Sequence, residues 1–392
     1  MKVKQKEEKE ESQEELKQRE KAQEENGQKQ EEETDVPYEA WFASIWQIRG
    51  KKKKRLQEML GSGREVYHLK RELLDKLNIL TDREKEILWK AREALCPKKA
   101  WEKLKKEQVS FLPYHAAEFP ERLRRIEDGP YGIYFKGRLP KEGQKSAAIV
   151  GARQCSRYGE RFALEYGKVL GKAGVQIISG MARGIDGAAQ RGAIIGEGYS
   201  CGVLGSGVDI CYPRENRGLY ADLAETGGLL SEYPLEERPR PEFFPRRNRL
   251  ISGLSDVTII IEAREKSGSF ITADFALEQG KDVYALPGPA DSTLSRGCHR
   301  LIAQGAGILL SPKDLLRELG MTEATSCDFE KTEKVLEKET DIVYSCVDLS
   351  PKSLHQLAEE TKLTGKVLME RLITLELMGH IEEVSKNYYR RV

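Results

Sequence analysis

The sequence predicts an α/β protein, in which a parallel sheet with helices on both faces is flanked by a small helical domain and a winged helix. Three observations predict this fold class. From residue 146 onward, short apolar runs alternate with amphipathic helical segments, as in sheets covered on both faces. Residues 36–95 show only helical patterns, and residues 341–392 show helix, turn, helix and hairpin patterns in that order.

Composition excludes several classes of protein. The chain has 392 residues, 33% of them charged, and a net charge of +1, a length that predicts two or three domains. No apolar run approaches ~18 residues and the N-terminus has no apolar signal segment, so we expect a cytoplasmic protein that does not bind membranes. Seven cysteines without a CxxC pair argue against a zinc ribbon or a disulfide framework. The five histidines show no metal-ligand spacing, so we expect no metal.

The N-terminal part divides into a tail and a helical domain. Residues 1–34 are mainly Glu, Lys and Gln, so we expect a disordered charged tail. Residues 36–95 are expected to form a small helical domain. One apolar face contains Trp41, Phe42, Ile45 and Ile48. The basic run 51–55 is predicted to interrupt the helices, and a capping box from Thr81 to Glu84 predicts another helix start.

Residues 106–320 are predicted to form the sheet domain. Its strands are predicted at 131–135, 147–150, 175–178, 199–204, 228–233, 257–262 and 283–286. Ligands of such sheets bind at the carboxyl ends of the strands, which here are rich in glycine. Arg153 and Arg183 lie in two of these loops, which favours phosphate binding; the alternative is that the glycines only make tight turns. A full GxGxxG and a Walker motif are missing, which argues against a dinucleotide cofactor and against a P-loop ATPase.

The strongest basic feature is the segment 238–249, with five arginines, one glutamate and the interleaved Phe243 and Phe244. Arginine with aromatic rings suits a single nucleic-acid strand, whose phosphates pair with Arg and whose bases stack on rings. Because the segment directly precedes a buried strand, we expect a fixed, loop-mounted site. The alternative is a solvated start of a basic helix.

A second candidate segment follows the strand that ends at residue 262. Ser267, Gly268 and Ser269 fit the N-terminus of the next helix, where free N–H groups and hydroxyls favour phosphate. Lys266 supports phosphate binding there, although a plain helix cap explains the serines as well. Phe270 suits either base stacking or the core.

Two patterns point to enzymes. Ser200 lies in a GxSxG sequence, but it precedes an apolar run and is expected within a strand rather than at a nucleophile elbow. A nucleotide hydrolase or phosphoribohydrolase would use Asp186, Asp209 and Glu232 as acid/base candidates. Such enzymes usually show a PGGxGTxxE signature, which is missing here, so we expect a binding protein.

Residues 322–340 read as a polar linker before the winged helix at 341–392. Its predicted second helix, 364–378, balances Lys366 and Arg371 with glutamates. That balance favours a protein-docking module over duplex recognition. A transcription regulator acting through this domain is a third hypothesis.

Eight motifs in order resemble those of the DNA-processing protein A family (DprA, also called Smf). They are Val150-Gly-Ala-Arg153, Ser179-Gly-Met-Ala-Arg-Gly-Ile-Asp186, Leu204-Gly-Ser-Gly-Val-Asp209, Ser231-Glu-Tyr-Pro234, Phe244-Pro-Arg-Arg-Asn-Arg-Leu-Ile251, Ser267-Gly-Ser-Phe-Ile-Thr-Ala273, Leu286-Pro-Gly288 and Gly297-Cys-His-Arg-Leu-Ile302. The resemblance implies an extended Rossmann-like core, an N-terminal sterile-alpha-motif-like (SAM-like) domain and a winged helix. His299 stands where the family pattern has Asn.

The resemblance also implies a function. Such a protein, which is not an enzyme and needs no cofactor, binds single-stranded DNA without sequence specificity and protects it. It loads the RecA recombinase onto that DNA during natural transformation. A homodimer is implied, with single-strand-binding protein as a further candidate partner. The resemblance assigns phosphate contact to Arg153 and the strand path to Arg246, Arg247, Asn248 and Arg249. It assigns phosphate and base contacts to Lys266, Ser267, Gly268, Ser269, Phe270 and Thr272.

Overall fold

The computed structural model describes residues 35–321, 343–348, 351–377 and 380–391. The chain divides into two compact units after Gly320. The predicted tail at 1–34 and the linker at 322–340 lie outside the described residues. Among the described residues, no helix combines the length and apolar character that a membrane crossing requires.

From residue 35 onward, where the description of the chain starts, six helices precede the sheet. They are α1 (35–44), α2 (Gly50–Leu60), α3 (Gly63–His68), α4 (Arg71–Asp75), α5 (Asp82–Ala94) and α6 (Pro97–Lys106). The capping box that starts α5 is confirmed, since Thr81 and Glu84 exchange side-chain to backbone hydrogen bonds. The expected interruption at 51–55 is wrong, because these residues lie within α2 and Lys53 is buried, donating to the Ala43 carbonyl at 2.7 Å.

These helices share a core with the sheet. Trp41, Phe42, Ile45 and Ile48 are all buried, as their spacing predicts. They belong to one cluster with Tyr131 and Tyr134. Tyr131 directly precedes the sheet strand Gly132–Gly137, and Tyr134 lies within it. The first compact unit therefore contains both the helices and the sheet, and a domain division between 95 and 106 stays a prediction.

Within the described residues, nine strands form one sheet in the order β1-β2-β6-β5-β4-β3-β7-β8-β9. The strands are β1 (Ser110–Pro113), β2 (Gly132–Gly137), β3 (Ser146–Gly151), β4 (Gln176–Ser179), β5 (Ser200–Leu204), β6 (Gly228–Ser231), β7 (Val257–Ile261), β8 (Asp282–Ala285) and β9 (Gly307–Ile308). Across the sheet from β6 through β5, β4, β3, β7 and β8 to β9, every pair of neighbouring strands is parallel, which confirms the predicted fold class. β1 and β2 extend the sheet in an antiparallel sense, which needs no crossover helix.

Across the described stretch from β3 to β9, six helices connect the parallel strands: α8 (Arg157–Lys172), α9 (Ile185–Ile195), α10 (Arg217–Thr226), α11 (Phe243–Gly253), α12 (Gly268–Glu278) and α13 (Arg296–Ala303). The helix α7 (Glu121–Arg124) lies between β1 and β2, and α14 (Pro312–Glu318) follows β9. The five residues of β5 are all buried, as in a strand covered on both faces. The core between the sheet and its helices is made of short aliphatic side chains such as Ala148, Val203 and Ile260.

The second unit has the predicted order of helix, turn, helix and hairpin. Its elements are α15 (343–346), β10 (Lys352–Ser353), α16 (Leu354–Thr361), α17 (Gly365–Leu377), β11 (Ile381–Ser385) and β12 (Tyr388–Arg391). A capping box between Ser353 and Gln356 starts α16. Leu357, Leu368, Leu372 and Ile381 are buried together in its core. This arrangement confirms the winged helix.

Candidate functional site

The candidate site lies at the carboxyl edge of the parallel strands. β3 pairs with β4 on one side and with β7 on the other, so the strand order changes direction at β3. Open α/β sheets bind their ligands in the crevice at such a switch point. Of the twelve predicted site residues, four lie in the loops that follow β3, β4 and β7, and the other eight lie on α11 and α12.

Arg153, Arg183 and Arg247 meet in one shallow crevice, here termed the basic crevice. It is lined by Arg153, Gly180, Ala182, Arg183, Tyr212, Pro213, Phe244 and Arg247. The Arg153 guanidinium lies 5.2 Å from the centre of the Phe244 ring. The Tyr212 ring, which is 41% exposed, lies 5.6 Å from that of Phe244. Exposed cations beside rings can bind phosphates and stack bases of a single strand.

The loop after β4 forms the floor of the basic crevice. Met181, in this loop, has a φ of 53°, which non-glycine residues adopt only where their surroundings determine it. The Met181 N–H donates to Gln190 Oε1 at 3.1 Å, and Asn216 Nδ2 donates to the Met181 and Ala182 carbonyls at 3.0 Å. These contacts hold the loop, and with it Arg183, in one conformation.

Arg247 stabilises this floor through buried hydrogen bonds and is not an exposed cation. It is 4% exposed and donates to the Gly180 carbonyl at 2.8 Å and to the Val203 carbonyl. Burial lowers the pKa of Arg247 to about 10, while nearby Asp186 raises it. Burial raises the pKa of Asp186, and Arg247 together with three backbone N–H groups opposes that rise. Arg247 therefore has a structural role at the crevice.

The other basic residues of α11 point away from the basic crevice. The expectation of a loop-mounted segment is wrong, since residues 243–253 are helical and successive side chains turn by about 100°. Arg249 is 5% exposed and forms an ion pair with Glu232. Arg246 lines a separate small cavity beside Trp46. The structure does not bring Arg246 and Arg249 to Arg153.

The start of α12 lies beside α11, where Asn248 Nδ2 donates to the Gly268 carbonyl at 3.3 Å. Ser267 caps α12 by accepting from the Ser269 N–H at 3.3 Å, so the expected cap is confirmed. Lys266, directly before it, is exposed. Because Lys266 follows β7 and Arg153 follows the neighbouring β3, both cations lie at the same edge of the sheet.

Three other members of the predicted segment are turned inward. Ser269 and Thr272 are buried, with exposed fractions of 7% and 2%. Phe270 is half-buried and packs against the main core, so of the two sequence-based readings the structure favours the core. The Arg300 guanidinium lies 5.8 Å from the centre of its ring.

The enzyme candidates are engaged in structural contacts. Ser200 is buried within β5 and its hydroxyl donates to the Ile177 carbonyl at 2.9 Å, which confirms that it is not at an elbow. Asp209 accepts from the Glu236 N–H at 2.9 Å, and Glu232 pairs with Arg249. Across the described ranges, no cluster of His, Cys, Asp and Glu side chains could hold a metal ion.

Two residues at this edge were not among the predicted site residues. Tyr212 contributes a ring to the basic crevice. Glu262 directly follows β7, is 4% exposed and contacts the loop after β3. Its place at the end of a strand next to the switch point was the sequence signal that could have identified it.

Several cations of the winged helix are engaged in contacts with its own residues. Lys352 contacts Asp348 at 2.8 Å and Glu360 at 2.7 Å. Arg390 pairs with Glu382, and the Arg391 guanidinium lies 4.3 Å from the centre of the Tyr344 ring. These contacts neutralise part of the positive charge of the winged helix, and glutamates balance Lys366 and Arg371 in α17.

The fold and the site define a class of protein: an open α/β sheet with a basic, ring-lined crevice at its switch point, joined in one chain to a winged helix. Residues 110–320 match the family model of DNA recombination-mediator protein A, and residues 329–385 match that of the DprA winged helix domain. The chain therefore belongs to the DNA recombination-mediator protein A family, which confirms the resemblance seen in its motifs.

Individual proteins show the same similarity. Protein Smf of Escherichia coli is 36% identical over 286 residues, which cover 71% of this chain and 76% of that protein. DNA processing protein DprA of Bacillus subtilis is 39% identical over 217 residues, covering 55% of this chain and 73% of that protein. The X-ray structure of DNA processing protein A from Streptococcus pneumoniae aligns with a TM-score of 0.60 at 31% identity, covering 72% of this chain and 97% of that one.

A further solved structure concerns DNA processing protein A from Helicobacter pylori and is described as giving insight into its single-stranded DNA binding mode. It aligns with a TM-score of 0.50 at 29% identity and covers 54% of this chain and 95% of that one.

Proposed function

We propose that this chain binds single-stranded DNA without sequence specificity, through the basic crevice and through Lys266 at the same edge of the sheet. The observation that carries the proposal is the placement of Arg153 beside the Phe244 ring, with Arg183 and the exposed Tyr212 in the same crevice. A relative whose structure is described by its single-stranded DNA binding mode supports it.

The chemistry of the crevice favours a single strand over a duplex. Stacking on Phe244 and Tyr212 needs bases that are free on at least one face, and duplex bases are already stacked. Guanidinium and ammonium groups bind the phosphates of every sequence equally, and so do not read bases. We therefore infer a binding mode that tolerates any sequence.

The family resemblance extends the proposal. We propose that the chain protects single-stranded DNA and loads RecA recombinase onto it in the cytoplasm during natural transformation, with single-strand-binding protein as a further partner. A homodimer is part of this proposal. The exposed Ile308 and Leu310, at and just beyond the edge strand β9, support self-association of the sheet domain. The division at 36–95, 106–320 and 341–392 belongs to the same proposal.

We propose that the chain acts without catalysis at this edge. Asp186, Asp209 and Glu232, which a nucleotide hydrolase would need as acid or base, each accept hydrogen bonds from the chain itself. Detection of free base released from a nucleoside monophosphate would contradict this part of the proposal.

The test is a fluorescence-anisotropy titration of labelled poly-dT and a matched duplex at several salt concentrations. Arg153→Ala/Lys266→Ala is compared with Lys141→Ala/Lys145→Ala, which removes the same charge from exposed residues before β3, at the opposite edge. Each lost phosphate contact should reduce the salt slope by about 0.7. The site variant should therefore lose about 1.4 and the control nothing. Equal affinity for duplex, or equal behaviour of the two variants, would overturn the proposal.

A further inference from the structure

We propose that Glu262 is a positioning residue of the single-strand site, which fixes Arg153 by holding both ends of its loop. The proposal rests on the proposed function, because Arg153 is the cation whose phosphate contact it would support. Nothing in the sequence patterns assigned a role to this carboxylate, which does not line the basic crevice.

The contacts of Glu262 lie on both sides of Arg153 in the sequence. Its backbone carbonyl accepts from the Ala152 N–H at 2.8 Å. Its carboxylate accepts from the Ser156 N–H at 2.8 Å and also from the Ser156 hydroxyl. One residue thus anchors the positions immediately before and three residues after Arg153.

The conformation of Glu262 is specific to these contacts. It is 4% exposed and has a φ of 53°, a left-handed value that a residue with a side chain keeps only where its neighbours determine it. Room for the carboxylate depends on Gly159, because a Cβ at that position would overlap it. The side chain therefore fits one place, directly behind the Arg153 loop.

The carboxylate also lies at the N-terminus of α8, whose N-cap residue is Ser156. Free N–H groups and the helix dipole favour a negative charge there, and dinucleotide-binding folds place the ligand's pyrophosphate at the equivalent helix. Here the chain's own carboxylate accepts from the Ser156 N–H at the start of the helix, and the Gly159 N–H donates to the Ser156 hydroxyl at 3.2 Å. A DNA phosphate is consequently left to the Arg153 guanidinium rather than to the helix N-terminus.

Glu262 also connects the two halves of the site. It is followed four residues later by Lys266, so the loop after β7 that presents this lysine starts at the same residue that clamps the loop after β3. Arg153 itself is exposed. Its position therefore depends on the loop, and a loosened loop would have to be ordered when DNA binds, which lowers affinity.

The test is a double-mutant cycle on poly-dT affinity measured over a range of salt concentrations. Glu262→Ala, Arg153→Ala and the double variant are compared with the wild type and with Glu262→Gln. We expect Glu262→Ala to match Arg153→Ala in affinity within about twofold, with no further loss in the double variant. We also expect its salt slope to fall by about 0.7, as for one lost phosphate contact. Glu262→Gln, which keeps an acceptor oxygen, should retain most of the slope.

The salt slope separates positioning from a general loss of stability, since a smaller folded fraction lowers the signal without changing the number of phosphates bound. A folded Glu262→Ala variant with the wild-type slope, or with a loss that adds fully to that of Arg153→Ala, would overturn the proposal. If Glu262→Ala does not fold, Ser156→Ala decides. It removes the hydroxyl donor and should weaken binding about two- to tenfold with a reduced slope, and a wild-type slope would overturn the proposal.

The same data distinguish this inference from the proposed function. If the wild type shows no single-strand binding, both fall together. If Arg153→Ala weakens binding and Glu262→Ala does not, the proposed function stands and the role of Glu262 is refuted.

Discussion

Arg247→Ala is expected to lower the free energy of unfolding. Arg247 lines the basic crevice, but its contacts with the chain predict that the main effect of its removal is on stability. The Arg247 guanidinium donates to the Gly180 carbonyl at 2.8 Å and to the Val203 carbonyl, and it is buried. Hydrogen bonds to charged groups contribute about 1.5–3 kcal/mol each. The loss of two such bonds predicts a decrease of about 3–6 kcal/mol.

The pH dependence of that loss has a defined sign. Burial raises the pKa of Asp186 and Arg247 opposes the rise, so removal of Arg247 raises this pKa further. Between the unfolded and the folded pKa of Asp186, the folded state holds a proton that the unfolded state has released. Stability therefore falls as pH rises through this window. The loss caused by Arg247→Ala should be larger at pH 7 than at pH 5.

Urea unfolding at pH 5 and pH 7 measures both effects. Arg153→Ala is the matched control, because that arginine is exposed and its removal should change stability by less than about 0.5 kcal/mol. Asp186→Asn/Arg247→Met, which removes both charges at similar volume, should recover part of the loss. The reasoning is refuted if Arg247→Ala is as stable as Arg153→Ala, or if it loses more at pH 5 than at pH 7.

Three further outcomes are expected. Burial lowers the pKa of Lys53 to about 7, with Glu232 opposing this shift and Arg246 adding to it. Above pH 7 the unfolded lysine therefore holds a proton that the folded lysine has lost. The free energy of unfolding consequently rises by up to about 1.4 kcal/mol per pH unit. Lys53→Met should remove this rise, as measured by urea unfolding at pH 7 and pH 9. Phe244→Ala should weaken poly-dT binding by about 1–3 kcal/mol in anisotropy titrations, whereas Phe270→Ala should lower the melting temperature instead, since Phe270 packs on the core. Arg122→Ala should lower the free energy of unfolding by about 3 kcal/mol, because it removes the donors to Asp256 at 3.0 Å and to the Leu254 carbonyl at 3.0 Å. An unchanged melting temperature in thermal unfolding would contradict this last prediction.

Local patterns predicted the parallel part of the sheet, because strands that are buried on both faces leave uninterrupted apolar runs between helices. The stretch at 131–135 was also predicted as a strand, and the structure has β2 there. Its antiparallel pairing with β6 could not be predicted, because the partner lies about 95 residues further along the chain. The pattern of apolar and polar residues in each strand does not specify which strand pairs with it.

The site was predictable where a residue follows a strand directly, and not where it lies on a helix. Arg153 and Lys266 follow β3 and β7, and both are exposed at the carboxyl edge. Arg246, Arg247 and Arg249 form one cluster in the sequence, but they share a helix and point in different directions. A dense run of charge in the sequence is therefore not a dense patch in space unless the backbone is extended or the spacing is three or four residues.

Adjacent residues of α11 face different parts of the molecule. Phe244 lines the basic crevice, while Phe243 stacks on Tyr233 at 4.0 Å and meets the Trp46 ring at 4.8 Å. Trp46 belongs to the helical region before the sheet, and its indole N–H donates to Glu237 at 3.0 Å. A fragment that began at residue 106 would thus expose Phe243, Tyr131 and Tyr134 to water, and exposed apolar surface of this kind promotes aggregation. Shortened versions of this protein should therefore begin at residue 35, because the helices before residue 106 share a hydrophobic core with the sheet.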